Sequence, residues 1–250
     1  MQNNTTALFL AAGYGSRIAD VTNQPKCLLE VNGKALIDHH LEKIEICGIK
    51  NIHIVTGYEK EKIINHLEGK YPNLNITFSV NEEFRRLGNT YSMMIGLKNI
   101  THDVMIFDAD LMYDTMILKN FVDSTLPNAF LVGPAEITDI ECAKTMVDDK
   151  GFVRLLIDKR AVSLEERQKY KFIGEAIGIM KFSLESRLEI LKACEEFFKK
   201  EENLIKNWEH LFSQYLMNHD VAVHFENSEK WIEIDNREDY NRALEIFRLN

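Results

Sequence analysis

The first half of the chain alternates short apolar runs with amphipathic stretches, and this alternation restricts the fold more than any other feature of the sequence. Ala7 to Ala11 reads as a buried strand, and "NIHIVTGY", "NITFSV" and "DVMIFDAD" read as three more. Between them Leu36, Ile37, Leu41 and Ile44 recur at helical spacing until Gly48 ends the segment. Glu59–Leu67 and Thr90–Leu97 continue the helical pattern, the latter with Asn89 as its cap. Strands alternating with helices predict an α/β fold, a mixed, mostly parallel sheet sandwiched by helices, in which ligands sit at the carboxyl ends of the strands.

The second half is less regular. "AFLVG", "AKTMVDD", "FVRLLID", "AIGIMKFS" and "VAVHF" read as strands, Leu184–Lys199 and Leu204–Met217 as helices, and Arg237–Phe247 as a closing helix. No Pro/Gly/Ser-rich linker or repeat divides the 250 residues. The expectation is a single domain over 1–250, in which about 1–125 bind a nucleotide and about 126–250 build an acceptor pocket on that base.

A formal net charge of -9 argues against a nucleic-acid groove, so basic residues that act must act locally. The apolar run from Ala7 to Ala12 is far shorter than the roughly 20 residues of a membrane span and has no basic leader. Cys27, Cys47, Cys142 and Cys194 lie far apart with no CxxC pair, the pattern of reduced thiols in a cytoplasmic protein. A homo-oligomer is compatible with the sequence, which does not specify one.

The first strand runs into Gly13, Tyr14, Gly15, Ser16 and Arg17, with Lys26 after Pro25. A dinucleotide fingerprint requires a third glycine where Ile18 stands, and G-x-x-x-x-G-K-[ST] is absent. What remains is a pair of glycines through which backbone N–H groups can approach phosphate, beside two cations that can neutralise it. A plain glycine turn with a surface arginine fits the local chemistry equally well.

The longer pattern "LAAGxGSR…PKxLxxVxGKxLIDH", continued by "VTGY", "NEEFRRLGNTYSM", "FDAD", "ECAKTMVDDKG", "GEAIGIMKFS" and "WIEIDNREDY", resembles the sugar-phosphate and phosphocholine nucleotidyltransferases. It looks most like the CTP-using branch that includes 2-aminoethylphosphonate cytidylyltransferases. The resemblance implies a Rossmann-like mixed sheet and attack of an acceptor phosphonate or phosphate oxygen on the α-phosphorus of CTP. It makes Arg17 and Lys26 catalytic, Arg17 at the β/γ phosphates and Lys26 at the α-phosphate and leaving group. It further implies nucleotide contacts from Leu10, Ala11, Ala12, Gly13, Gly15, Ser16, Gly57, Tyr58, Asn89 and Thr90.

Asp108 and Asp110 alternate at the exit of an apolar strand, and Glu233 and Asp235 repeat that spacing before the last helix. Carboxylate oxygens suit Mg2+ better than zinc. By resemblance, Asp110 and Asp235 hold the metal, although Asp235 could instead cap the last helix. For the acceptor, the resemblance points to Tyr91, Ser92, Glu141, Lys144, Lys159, Glu175 and Glu233, the lysines for a phosphonate and a carboxylate for an ammonium group. A choline reader would want a cluster of aromatic faces, for which Tyr91, Trp208 and Trp231 are the available rings. The resulting acceptor order is 2-aminoethylphosphonate, phosphocholine, then a sugar or inositol phosphate; a non-catalytic nucleotide-binding protein is the competing class.

Overall fold

The computed structural model describes residues 4–248. Strand β1 (Thr5–Ala11) lies at the centre of a nine-stranded mixed sheet. It is parallel to β4 (Asn51–Thr56) on one side and to β6 (Asp103–Asp108) on the other; β5 (Asn75–Val80) extends the parallel region as an edge. The long strand β11 (Lys171–Phe182) runs antiparallel to β6 and joins the halves of the chain, because it also pairs β8 (Ala129–Gly133) and β9 (Lys144–Val147). β10 (Val153–Ile157) forms the other edge beside β9, and β12 (Ala222–Phe225) pairs β8.

Both faces of β1 are covered, which is why it reads as an unbroken apolar run rather than an alternating one. Ala7, Phe9 and Ala11 pack with α1 (Leu36–Ile46), α2 (Lys60–Leu67) and α4 (Thr115–Asp123) through Ile37, Leu41, Ile63 and Phe121. Leu8 and Leu10 face the opposite layer, where α3 (Asn89–Lys98), α6 (Leu184–Phe197) and α7 (Trp208–Tyr215) contribute Met93, Leu97, Ile190 and Phe212. A Cβ on Gly96 would lie 2.3 Å from Leu8 Cδ1, so the bare glycine lets α3 lie close against β1. No helix among the described residues is long and apolar enough to cross a membrane.

The elements follow the sequence expectation with specific differences. Helix α3 starts at Asn89 itself with Gly88 as its N-cap, so Asn89 is not the cap; its Oδ1 instead accepts from the Trp208 backbone N–H at 3.0 Å. The expected helix over Leu204–Met217 shortens to α7, because a 3-10 turn at Glu201–Asn203 precedes it. Elements too short for periodicity to reveal are the hairpin of β2 (Glu30–Val31) and β3 (Lys34–Ala35), α5 (Leu164–Lys169), and the pair of β7 (Leu111–Tyr113) with β13 (Trp231–Glu233). The closing helix α8 (Arg237–Ile246) packs Ala243 with Ile18, Leu36 and Ile234, tying the chain's last segment to the loop after β1. That packing explains Ile18: the position is filled by core, not by a close helix–strand contact that needs glycine.

One polar cluster fastens the α1 layer. Buried Asp38 accepts from His66 Nε2 at 2.8 Å, Lys70 Nζ at 2.7 Å and Tyr71 Oη at 2.8 Å. Burial alone would raise its pKa; the Lys70, Tyr71 and His66 hydrogen bonds outweigh burial and hold it below the ordinary carboxylate value. A depressed folded pKa contributes stability that is present above the unfolded pKa and lost as pH falls through the folded one. Asp38→Asn is therefore expected to cost about 1–3 kcal/mol at neutral pH, with the deficit vanishing in acid; urea unfolding at pH 7 and pH 3 measures it.

Candidate active site

The loop after β1 turns at Gly15, whose φ of 65° lies in the left-handed region, and passes into a 3-10 turn over Ser16–Ile18. A Cβ at Gly13 would meet nothing within 4 Å, so this backbone faces open space where a ligand can approach. Pro25 begins a second 3-10 turn that presents Lys26 beneath the loop. Lys26 Nζ lies 2.8 Å from Asp110 Oδ2 and 2.7 Å from Asp235 Oδ1. Asp235 also receives Arg17 Nη1 at 2.7 Å and Lys159 Nζ at 3.5 Å.

Asp110 is in place because β6 ends at Asp108 and the chain turns before β7. Asp235 is in place because β13 pairs antiparallel with β7, bringing the C-terminal segment alongside; the Ile234 N–H donates to the Asp110 carbonyl at 3.1 Å. Capping of α8 falls to Asn236, whose side chain accepts from the Glu238 and Asp239 N–H groups, with Asp239 completing a capping box. Asp235 is thereby released from the capping role and faces the cavity.

Burial would lower the Lys26 pKa, but the charges of Asp110 and Asp235 outweigh it and raise the value, so the ammonium stays protonated. Burial likewise pushes Asp235 upward, and Lys26, Arg17 and Lys159 overcome this and lower it. Glu233 opens onto the cavity but is crowded by protein elsewhere; that desolvation, then the charges of Asp110 and Asp235, raises its pKa well above the carboxylate range. One oxygen from each of Asp110, Glu233 and Asp235 lies within 4.8 Å of the others. Asp110 Oδ1 is buried and has no hydrogen-bond partner. Three carboxyl groups with an unpaired buried oxygen fit a hard divalent cation, whose charge would hold Glu233 ionised with its neighbours.

These groups line a cavity of ≈ 320 Å³. Of the residues expected from sequence, it brings together Leu10, Ala11, Ala12, Gly13, Gly15, Ser16, Arg17, Lys26, Asn89, Ser92, Asp110, Glu141, Lys159, Glu233 and Asp235. Gly57 and Tyr58 support the loop from behind: the Tyr58 N–H donates to the Ala12 carbonyl at 3.1 Å, and a Cβ on Gly57 would sit 2.7 Å from that oxygen. Thr90 Oγ1 donates to the Lys206 carbonyl, and Tyr91 packs edge-on against Phe198. Lys144 is fully buried, its Nζ donating to the Cys142 carbonyl at 3.4 Å. Glu175, its register partner across β9 and β11, is pushed up to about 7, chiefly by burial.

Sequence reasoning missed Asn81, Phe84, Asp158 and Glu209, which also line the cavity, while Trp208 and Trp231 do reach it. Asp158 precedes Lys159 and Glu209 follows Trp208, so adjacency to named residues was the available signal. Glu209 is 8% exposed, its Oε2 has no hydrogen-bond partner, and burial, followed by the charge of Asp158, pushes its pKa up to about 8. Trp208 is oriented by donating Nε1–H to Asp108 Oδ2 at 3.0 Å. His39 and His40 have structural partners: buried His40 pairs through Nδ1 with Tyr113 Oη, and His39 Nε2 contacts the Val31 carbonyl. Cys27 is buried and its thiol is pushed up to about 12 by that burial, so it is inert beside Lys26.

Residues 7–136, the segment that builds the glycine loop and the Asp110 turn, match the MobA-like NTP transferase domain. The chain belongs to this family. Relatives similar over nearly the full chain include the choline-phosphate cytidylyltransferase of Streptococcus pneumoniae, 24% identical over 97% of this chain and 98% of that protein. The CTP:phosphoglutamine cytidylyltransferase of Campylobacter jejuni is 26% identical over 92% of each. The bifunctional protein GlmU of Methanococcus vannielii is 30% identical over 72% of this chain, which spans 41% of that protein's length. Among solved structures, the CTP:phosphocholine cytidylyltransferase of S. pneumoniae superposes with a TM-score of 0.77 at 24% identity, covering 98% of this chain and 100% of the other. The inositol-1-phosphate CTP transferase of T. maritima gives 0.75 at 18% identity, covering 98% of this chain. The fold is that of the nucleotidyltransferases.

Proposed function

We propose that this protein is a Mg2+-dependent cytidylyltransferase that transfers CMP from CTP to a small amine-bearing phosphonate or phosphate, 2-aminoethylphosphonate first among them, and releases pyrophosphate. The observation that carries the reading is the order of chemistries along the sheet rim. Asn81 and Phe84 follow β5 at one edge, the Gly13–Arg17 loop and Asp110 follow the central β1 and β6, and Asp158 and Lys159 follow β10 at the other edge. A nucleoside seat, a cation–carboxylate centre and an acidic, tryptophan-walled seat thus succeed one another, the order needed to join a nucleotide to an acceptor.

In the reaction an anionic phosphonate oxygen of the acceptor attacks the α-phosphorus of CTP, a new P–O bond forms, and the bond to the bridging oxygen breaks with its electron pair leaving on pyrophosphate. The nucleophile is already anionic near neutral pH, a phosphate monoester having a second pKa of about 6, so no general base is required. The obstacle is charge accumulation. Arg17 binds the β/γ phosphates, and Lys26, permanently cationic, stabilises charge growing at the α-phosphate and the leaving oxygen. When Arg17 turns from Asp235 to the triphosphate, the carboxylates of Asp110, Asp235 and Glu233 lose a countercharge. A bound Mg2+ would replace it and act as a Lewis acid toward the phosphate oxygens.

At the acceptor end the Glu209 carboxyl group, whose Oε2 is unpartnered, and neighbouring Asp158 would pair with an ammonium group, whose charge would draw Glu209 into its ionised form, and Lys159 would pair with the phosphonate. Phosphocholine is the second acceptor reading, favoured by Trp208 and Trp231 on the cavity wall and by the relative similar over 98% of its length. A sugar or inositol phosphate stands third. Incubation with CTP, Mg2+ and a series of 2-aminoethylphosphonate, phosphoethanolamine and phosphocholine, with pyrophosphate as readout, tests the reading; no release with any acceptor or nucleotide would return the protein to the non-catalytic class. Glu209→Gln is expected to raise the acceptor KM by about 10–100-fold, the worth of a hydrogen bond to a charged group, with the CTP KM nearly unchanged. An equal rise in both constants would remove Glu209 from acceptor binding.

A further inference from the structure

Resting on the CTP reading, we infer that Ser92 is the residue that separates cytosine from uracil, and that Asn81 gives it that role by fixing the polarity of its hydroxyl. Asn81 stands just past the β5 edge, 1% exposed, and Ser92 lies on α3, 3% exposed; both line the nucleoside end of the cavity with apolar Leu10, Ala12 and Phe84. Apolar walls with a few convergent polar groups make a seat for a flat heterocycle.

The orientation of the Asn81 amide is set by its neighbours. The Glu83 backbone N–H donates to Asn81 Oδ1 at 2.9 Å, so the oxygen must face that donor. The amide nitrogen then points the other way and donates to Ser92 Oγ at 2.9 Å. The Asn81 backbone N–H, bonded to the Thr56 carbonyl at 2.8 Å, pins the residue to the end of β4. Because Ser92 Oγ already accepts from Asn81, its own proton remains to be donated, and the hydroxyl is presented to the cavity chiefly as a donor.

Cytosine and uracil differ in polarity at N3 of the pyrimidine. In cytosine N3 is a lone-pair acceptor; in uracil it carries a proton. A hydroxyl held as a donor meets a partner in the first and a second donor in the second, and a site that pairs with one substrate and leaves its buried polar group unpaired with another discriminates strongly. Asn81 touches no base in this arrangement. It is a positioning residue acting through Ser92.

The experiment measures kcat/KM for CTP and UTP, and equilibrium binding of both nucleotides without acceptor, in wild type, Ser92→Ala and Asn81→Asp. Ser92→Ala is expected to lower the CTP/UTP ratio about tenfold, the size of one hydrogen bond, almost entirely through loss of CTP. Asp at position 81 can still accept from the Glu83 N–H, but its second oxygen accepts the Ser92 proton, so Ser92 then offers only lone pairs. Asn81→Asp is therefore expected to move the ratio toward UTP, an inversion that simple damage to the pocket would not produce. Binding ratios are read on whichever variant folds, and Ser92→Ala removes only one buried oxygen. A wild-type preference for CTP that survives Ser92→Ala, or equal losses for both nucleotides, overturns the inference and leaves the cytidylyltransferase reading standing. A wild-type preference for UTP overturns both.

Discussion

Lys26→Ala will lower kcat for pyrophosphate release by about 10²–10³-fold, the cost of removing a preorganised charge from a transition state, while the KM for CTP changes little. The reason is its place: the ammonium lies between Asp110 and Asp235 at 2.8 and 2.7 Å, with a side-chain exposure of 14%, at the foot of the glycine loop. The carboxylates raise its pKa, so it is cationic throughout the working pH range and contributes no inflection to the pH profile. Charge that develops only as the leaving oxygen departs is stabilised in the transition state and not in the ground state, which separates kcat from KM. Steady-state kinetics with saturating acceptor and Mg2+ measure the effect, and a melting curve recorded with Mg2+ present shows whether the fold survives. A variant that kept near wild-type turnover would remove Lys26 from the mechanism.

Asp110→Asn will depress activity by at least about 10²-fold, on the scale of losing a preorganised electrostatic contact, and will raise the Mg2+ concentration needed for half-maximal rate. The substitution keeps the side-chain shape and removes the charge, so it separates metal retention from packing. Asp110 is the telling member of the carboxylate trio because its Oδ1 is buried without a partner while its Oδ2 already engages Lys26. An Mg2+ titration of initial rate is the measurement, and an unchanged metal requirement at reduced rate would move the ion to other ligands. The two substitutions act on groups in direct contact, so their effects in a double variant are expected not to add.

Much of the architecture was legible because its elements are long and strongly patterned. The strand at Ala7–Ala11 and the helix at Leu36–Ile46 are dictated by apolar period and by Gly48, and the structure places them there. The strands that escaped, β2, β3, β7 and β13, are two or three residues long, and the helix that escaped, α5, is six residues long with none of them buried, so none carries a measurable apolar period. Asn89 misled as a cap because its side chain serves a distant backbone N–H, that of Trp208, and no local pattern records a partner so far along the chain.

The same division runs through the candidate site. Sequence by itself picked out the glycine loop, Arg17, Lys26, Asp110 and Asp235 through the long motifs that carry the family resemblance, and the structure brings them to one cavity. Sequence left Asp235 divided between capping and metal, and only the structure, by giving the cap to Asn236, freed it to face Lys26 and Arg17. Asp158 and Glu209 were marked only by adjacency to named residues, Asn81 was given no role, and Ser92 was named for the acceptor with nothing to show its pairing with Asn81. Each is an ordinary polar residue until β10, α7, β5 and α3 bring it to one cavity. Chemistry that depends on adjacency along the chain is written in the sequence, whereas chemistry that depends on burial, on an unpartnered oxygen or on which way an amide points arises only when distant segments pack together.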